Sequence, residues 1–424
     1  MINLNSLKYN KNWSFADVKR RETLYATHGY HKYPAKFIPQ LASRLISNYS
    51  SPNDIVLDPF GGCGTTLVEA QLRQRRSIGV DVNRVAVLIS KAKIDGIEPL
   101  LLQKSNESLL NKISNTKYEK KYYKTANKRL KYWFKPRQFN RLKMIYNCIR
   151  KEQNGKIRTF YNCCFSNVLK NCSIWFSRSI KPQRDLNKKI EDPRLVFKRH
   201  LSFMTRKNGE FVDIINKSSK NVSCRMIKGD ARNIKLPNNH VDLIITSPPY
   251  VTSYEYADIH QLSTLWFGFA NNIRDIKKEF IGSLSKCRGR KQIQSVTAIA
   301  TLNKLLTKDK RFTKIVSNYY YDLHKCYKEM HRIVKPDKYL CLIMGDTEYR
   351  GIKIPNSKIS IELLRAVGFK VNKVIKRKLS AKIFTPYRDR KGKFTDAFKG
   401  SKKRIYQYEY IIIAQKIINK KESA

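Results

Sequence analysis

The run Asp58–Thr66, DPFGGCGTT, follows an apolar stretch, DIVLD, and leads into the helix-like LVEAQLRQR. A strand that turns through glycines into a helix lets a ligand come close to the backbone, because no Cβ stands in the way. No Gly-Lys-Ser/Thr follows, so this is not a P-loop. Alone, it fits either a nucleotide-like cofactor site or a tight structural turn. Two carboxylates narrow the choice. Asp81 ends SIGVD, 23 residues beyond Asp58, the spacing at which an acid after a second strand accepts hydrogen bonds from ribose hydroxyls. Asp230, in GDA after a third strand-like stretch, is placed to face an adenine amine.

A different chemistry lies in Thr246–Tyr250, TSPPY, directly after the apolar VDLII. Two prolines cannot continue a sheet ladder, and neither donates a hydrogen bond, so the turn offers acceptors: the Ser247 hydroxyl oxygen and the Pro248 carbonyl. An aromatic amine is a poor nucleophile because its lone pair is delocalised into the ring. Acceptors out of the ring plane draw on its two N–H groups and favour a pyramidal nitrogen. Pro249 stiffens the turn, and Tyr250 supplies a flat face on which an extruded base can stack. The bland alternative is a strand, a Pro-Pro turn and a buried tyrosine.

Together, DPFGGCGTT and TSPPY resemble the cofactor-binding and catalytic motifs of S-adenosylmethionine-dependent DNA amino-methyltransferases of restriction-modification type. The segment HGYHKYPAKFIP (28–39) is similar to the family segment that closes the methionine end of the cofactor site. VTSYEYADIHQLSTLWFGF and KGSKKRIYQYEYIII also look like this family. The resemblance covers roughly residues 25–100 and 222–416. It implies cofactor contacts from Tyr33, Pro34, Asp58, Pro59, Phe60, Gly62, Gly64, Thr65, Asp81 and Asp230, and target-base contacts from Ser247, Pro248, Pro249 and Tyr250. A serine at the head of the catalytic tetrapeptide is associated in that family mainly with N4-cytosine, and Asp or Asn mainly with N6-adenine. The alternatives left open are N6-adenine in DNA and, further off, an exocyclic base nitrogen in RNA. None of the 14 prolines precedes a cysteine, which argues against a C5-cytosine enzyme built on a Pro-Cys nucleophile.

Strands alternating with helices must hold these motifs at the carboxyl edge of an open sheet, where ligands bind. The expectation is an α/β fold with a Rossmann-like methyltransferase sheet, mostly parallel with an antiparallel edge, plus a basic helical insertion. Three parts follow: residues 1–100 with the cofactor loop, residues 101–222 as the insertion and candidate target reader, and residues 223–424 with SPPY and further basic segments. FKVNKVIKRKL and YQYEYIIIAQK read as an antiparallel pair, and YYYDLHKCYKEMHRIV and ISIELLRAVGF as helices.

The 424 residues carry a formal net charge of +53, and the excess is not spread evenly. Residues 101–222 hold 30 basic and 8 acidic side chains, residues 274–314 hold 12 and 3, and residues 370–404 hold 14 and 2. Separate basic segments around a near-neutral scaffold suit a polyanion, here double-stranded DNA. The candidate phosphate contacts are Arg129, Lys131, Arg137 and Arg141, interleaved with Tyr132, Trp133 and Phe134, then Arg288, Arg290, Lys391, Lys402, Lys403 and Arg404. For any one of them the plain alternative is a solvated charged face. A cognate restriction endonuclease sharing the site is a further expected partner. The nine cysteines form no C-x-x-C pair and show no zinc-ligand spacing with histidine. No apolar run reaches the ~18 residues of a membrane span, so a cytoplasmic protein is expected.

Overall fold

The computed structural model describes residues 4, 6–34, 36–217, 222–251, 255–283, 292–379, 387–388, 394–395, 403–404 and 407–417. Seven strands form the main sheet: β1 (Ile55–Asp58), β2 (Arg76–Asp81), β3 (Cys224–Lys228), β4 (Val241–Thr246), β5 (Val334–Met344), β6 (Phe369–Lys378) and β7 (Tyr408–Lys416). Their order is β3-β2-β1-β4-β5-β7-β6. The pairs β3/β2, β2/β1, β1/β4 and β4/β5 are parallel, whereas β7 runs antiparallel to both β5 and β6. This is a doubly wound sheet with its order reversing at β1/β4, and crevices at such switch points hold ligands.

The antiparallel pairing of the last two strands is as expected, but β7 is not the edge. It lies between β5 and β6, hydrogen-bonded to both, and Ile411, Ile412 and Ile413 are buried beneath the layers on its two faces, as in an interior strand. The edge goes to β6, whose outward lysines Lys370 and Lys373 tolerate water and discourage further pairing.

Side-chain alternation divides the core. Ile245, Ile343, Ile375, Ile411 and Ile413 face one side, against α1 (Pro39–Tyr49). Leu342, Val374 and Ile412 face the other, against the helices Lys310–Ile333 and Asn356–Ala366. In Lys310–Ile333 the buried residues Tyr319, Leu323, Cys326, Tyr327 and Met330 recur at three and four, the helical period that the sequence displays.

The stretch expected as an insertion is helical. Its main helices are α4 (Pro99–Asn115), α5 (Lys128–Trp133), α6 (Pro136–Arg150), α7 (Gly155–Leu169) and α8 (Pro193–Asn216), after α2 (Thr65–Leu72) and α3 (Arg84–Ile94) of the sheet. Their starts are written locally. Glu98, Asn127, Asn154 and Asp192 accept hydrogen bonds from first-turn amides, and Pro99, Pro136 and Pro193 occupy first helical positions. The insertion has no core of its own: Trp133, Phe134, Phe160 and Phe165 share one apolar cluster with Val85 and Ile89 of α3 and with Leu262 and Trp266. Among the described residues no helix is long and apolar enough to cross a membrane.

Candidate active site

The two motifs meet at the carboxyl ends of β1 and β4. Asp58 closes β1, and its carboxylate is buried. One oxygen accepts from the Phe60 amide at 3.1 Å and from the Thr246 hydroxyl at 2.7 Å, and the other accepts from the Thr66 hydroxyl at 2.7 Å. Asp58 therefore fastens the glycine turn to the residue just before Ser247. Burial pushes its carboxyl up to about 6, against the hydrogen bonds that favour the charged form.

Gly62 and Gly64 have φ values of +49° and +76°. At Gly64 a Cβ would stand 2.9 Å from the Ser90 hydroxyl oxygen and 3.2 Å from its Cα, so glycine is required where the turn presses on α3. The Ser90 hydroxyl donates to the Gly62 carbonyl at 2.8 Å. Asp81, at the end of β2, accepts from the Gly62 amide at 2.9 Å and from the Asn83 amide at 2.8 Å. Burial raises its carboxyl to about 6 as well, with the Asp58 charge adding to the effect.

These groups line one cleft of about 840 Å³, open mouth included. Of the residues expected at a cofactor, Tyr33, Asp58, Pro59, Phe60, Gly62, Thr65, Asp81 and Asp230 line it, and so do Ser247 and Pro249 of the catalytic turn. Pro34, Gly64, Pro248 and Tyr250 stand outside its lining. Tyr33 covers the glycine turn and stacks on Tyr256, with centroids 6.0 Å apart and planes 28° apart.

Asp230 reaches the cleft, but its carboxylate is already gripped by the Arg232 guanidinium at 2.6 to 3.1 Å, and Arg232 is also held by Asp322 at 2.9 Å. An acceptor pictured as free for an amine is thus largely occupied, because a basic residue two positions on turns back on it.

Tyr250 is packed on one side by the sheet. A Cβ on Gly345 would lie 2.7 Å from its ring, so the ring rests directly on backbone that only glycine leaves open. Its hydroxyl accepts from the Ser247 hydroxyl at 3.3 Å and donates to the Glu409 carboxylate at 3.4 Å. Burial pushes the phenol's pKa well up, so it stays protonated.

Several cleft residues escaped the sequence reading. Lys36 lines the cleft, donates to the His28 carbonyl at 3.0 Å, and has its pKa lowered to about 8 by burial, with Lys93 nearby. Lys93 is fully buried behind the cleft, where its charge acts on the Cys63 thiol and on Lys36. Lys36 sits inside the quoted KYPAKF, but nothing in that string shows which residue turns inward. Lys93 looks like an ordinary helix-end lysine. Asn83 lines the cleft too, with its amide nitrogen 2.7 Å from His260 Nδ1.

The phosphate-contact candidates separate under this geometry. Arg129 donates to Gln261 at 3.0 Å, Lys131 donates to the Lys124 carbonyl at 2.7 Å, and Arg141 forms an ion pair with Asp192 at 2.6 Å. Arg137 is exposed. Trp133 and Phe134 are buried, Trp133 stacking on Trp175 with centroids 4.8 Å apart, so they are core and not a platform for bases. Tyr132 is exposed, with the Arg129 and Arg184 guanidiniums over its ring at 4.8 and 4.2 Å. Lys403 and Arg404 form a short strand pairing with Tyr387–Arg388, while Arg288, Arg290, Lys391 and Lys402 lie outside the described residues.

An N6/N4 DNA methylase family model matches residues 3–92. Over 394 residues the chain is 28% identical to the type II methyltransferase M.MvaI of Kocuria varians, covering 86% of this chain and 87% of that one. It is 23% identical to the type II methyltransferase M.MjaII of Methanocaldococcus jannaschii, with 76% and 78% covered, and 23% identical to M.BsoBI of Geobacillus stearothermophilus, with 82% and 79% covered.

Proposed function

We propose that this chain, like the type II methyltransferases it matches, is an S-adenosylmethionine-dependent DNA amino-methyltransferase of restriction-modification type, and that it methylates the exocyclic N4 of a flipped cytosine within a short recognition sequence. The observation that carries this reading is that Ser247 and Pro249 share one cleft with Asp81 and the glycine turn, which puts an amine-orienting turn beside a cofactor-sized site.

The donor set fits the cofactor. At one end, Lys36 lines the cleft as a cation for an anion such as the methionine carboxylate, with the buried Lys93 behind it adding positive charge. In the middle, Asp81 is the carboxylate for ribose hydroxyls, its backbone amides leaving further lone pairs free. Phe60, Ala231 and Ile281 give an apolar slot for a purine. Bound S-adenosylmethionine supplies a methyl group on a sulfonium that is already an activated leaving group.

The protein's own task is then alignment more than acid or base power. Ser247 accepts one N–H of the target amine and the turn's carbonyls accept the other, while Asp58, through Thr246, keeps the turn in register with the cofactor loop. The serine itself is the feature that favours cytosine, through the family association described above. Flipping costs a few kcal/mol of unstacking, and the basic segments provide the phosphate grip that offsets it. Residues 101–222 are the proposed reader of sequence, the host compartment is the cytoplasm, and a restriction endonuclease cutting the same site is the proposed companion.

Digesting methylated plasmid to nucleosides and separating them by mass tests the product. N4-methylcytosine is expected. N6-methyladenine as the sole product would overturn the choice of base.

A further inference from the structure

The Ser247 hydroxyl does not stand alone. It donates to the Tyr250 hydroxyl at 3.3 Å, which donates to Glu409 Oε1 at 3.4 Å. Glu409 is the second residue of β7, directly across the ladder from Arg377 of β6. Arg377 is 3% exposed, its Nε lies 3.8 Å from Glu409 Oε2, and its Nε and Nη1 have no hydrogen-bond partner. A guanidinium so buried needs a counter-charge, and as its ion-pair partner Glu409 is a carboxylate.

The chemistry of the three groups fixes the direction of the chain. A carboxylate only accepts, so the Tyr250 hydroxyl must give it its proton. The tyrosine oxygen then accepts from Ser247, and the serine oxygen keeps its lone pairs for a third party. A lone serine hydroxyl has no such preference and can as well donate. We propose that Glu409, acting through Tyr250, polarises Ser247 into an acceptor for the target amine and receives the proton that the amine must lose. Glu409 and Arg377 are positioning residues here, acting through Tyr250 on Ser247, which meets the target amine.

The inference rests on the proposed reading of Ser247 as the group that meets the target nitrogen. In the transfer, the nitrogen lone pair forms the new N–C bond while sulfur keeps the electron pair of the bond that breaks. The nitrogen is left cationic with one proton too many. That proton passes to Ser247 Oγ as the serine proton moves to Tyr250 Oη and the tyrosine proton to Glu409 Oε1. The base ends neutral and Glu409 ends as a carboxylic acid, which returns its proton to solvent between turnovers. No other reactant is required. The chain also explains why a neutral serine can stand at the head of the catalytic turn: the negative charge lies two hydroxyls away, held in place by Arg377.

The test uses the full-length protein with duplex DNA and S-adenosylmethionine, following kcat, KM for DNA and, by calorimetry, cofactor affinity. Glu409→Gln should lower kcat by about 100-fold, the low end of general acid–base effects, leaving KM and cofactor affinity within twofold. Glu409→Asp should recover part of the loss. Glu409→Gln also strips Arg377 of its counter-charge and can unfold the edge of the sheet, so Tyr250→Phe, which removes only the relaying hydroxyl, is the second variant and should show the same split. Because the groups act as one chain, Tyr250→Phe/Glu409→Gln should be no slower than the slower single variant. A kcat within twofold of wild type in Tyr250→Phe, or losses in the double variant that multiply, would overturn the relay. If Ser247→Ala itself turned over normally, the site reading beneath it would fall instead, so the two failures are distinguishable.

Discussion

At the scale of single residues, the site depends on two carboxylates doing different work. Asp58 is buried and already accepts from the Phe60 amide and the hydroxyls of Thr66 and Thr246, so it sets geometry. Asp81 has two backbone partners and lone pairs to spare for ligand hydroxyls. Asp81→Ala should weaken S-adenosylmethionine binding by about 1–3 kcal/mol, the value of a lost charge-assisted hydrogen bond. The pH dependence has a definite sign. Burial raises the Asp81 carboxyl from 3.8 to about 6, so the unliganded protein holds the extra proton more tightly than the unfolded chain does. This residue's contribution to stability is therefore greatest below pH 4 and is lost as pH rises through 6. Ligand hydroxyls prefer the carboxylate, so cofactor affinity should move the other way, falling about tenfold from pH 7 to pH 5 as the ionised fraction drops. Calorimetry across that range, with Asp81→Asn as the non-titrating control, measures it. An equal fall in the control would assign the effect elsewhere.

At the scale of elements, what the sequence made legible was what short-range pattern encodes. DIVLD, SIGVD and VDLIIT read as strands because apolar β-formers run unbroken up to turn residues, and the glycines and prolines after them marked the cleft's edge. The strand Tyr408–Lys416 was legible, but its place inside the sheet was not, since pairing partners are a tertiary choice. The same limit hid the fates of Asp230, Trp133 and Phe134: a bound carboxylate and two core aromatics look in sequence like a free acceptor and a nucleic-acid platform. Glu409 was hidden in a strand of ordinary β-formers, and only the ladder register brings it opposite Arg377. One consequence concerns the helical stretch 101–222. It shares a core with α3 and with Leu262 and Trp266, and Gln261 accepts from both Arg129 and Trp133. Exchanging it for the corresponding stretch of a relative of different specificity should move the methylated sequence only if these contacts are carried along. Sequencing the methylated sites of the chimaera checks this, and an unmoved site with those contacts carried along would contradict base reading by residues 101–222.

At the scale of the whole molecule, the charge of +53 predicts binding governed by counterion release. With ~6–10 phosphates neutralised, affinity should fall by ~10³–10⁵ between 50 and 200 mM salt. Lys128, Lys135 and Arg137 are exposed on the helical stretch, so reversing all three to Glu should flatten the slope of log affinity against log salt by about 3 and leave cofactor binding unchanged. Fluorescence anisotropy over a salt series reads both quantities. An affinity indifferent to salt would make the basic segments a feature of composition and not a phosphate grip. The central claim, that one cleft joins a methyl donor to a base amine oriented by Ser247, is tested most directly by sequencing the methylome of cells expressing the wild-type protein or Ser247→Ala. The account predicts N4-methylcytosine at one recurring sequence with the wild type and its loss with the variant. An unmodified genome with the folded wild type, or the same mark persisting in the variant, would contradict it.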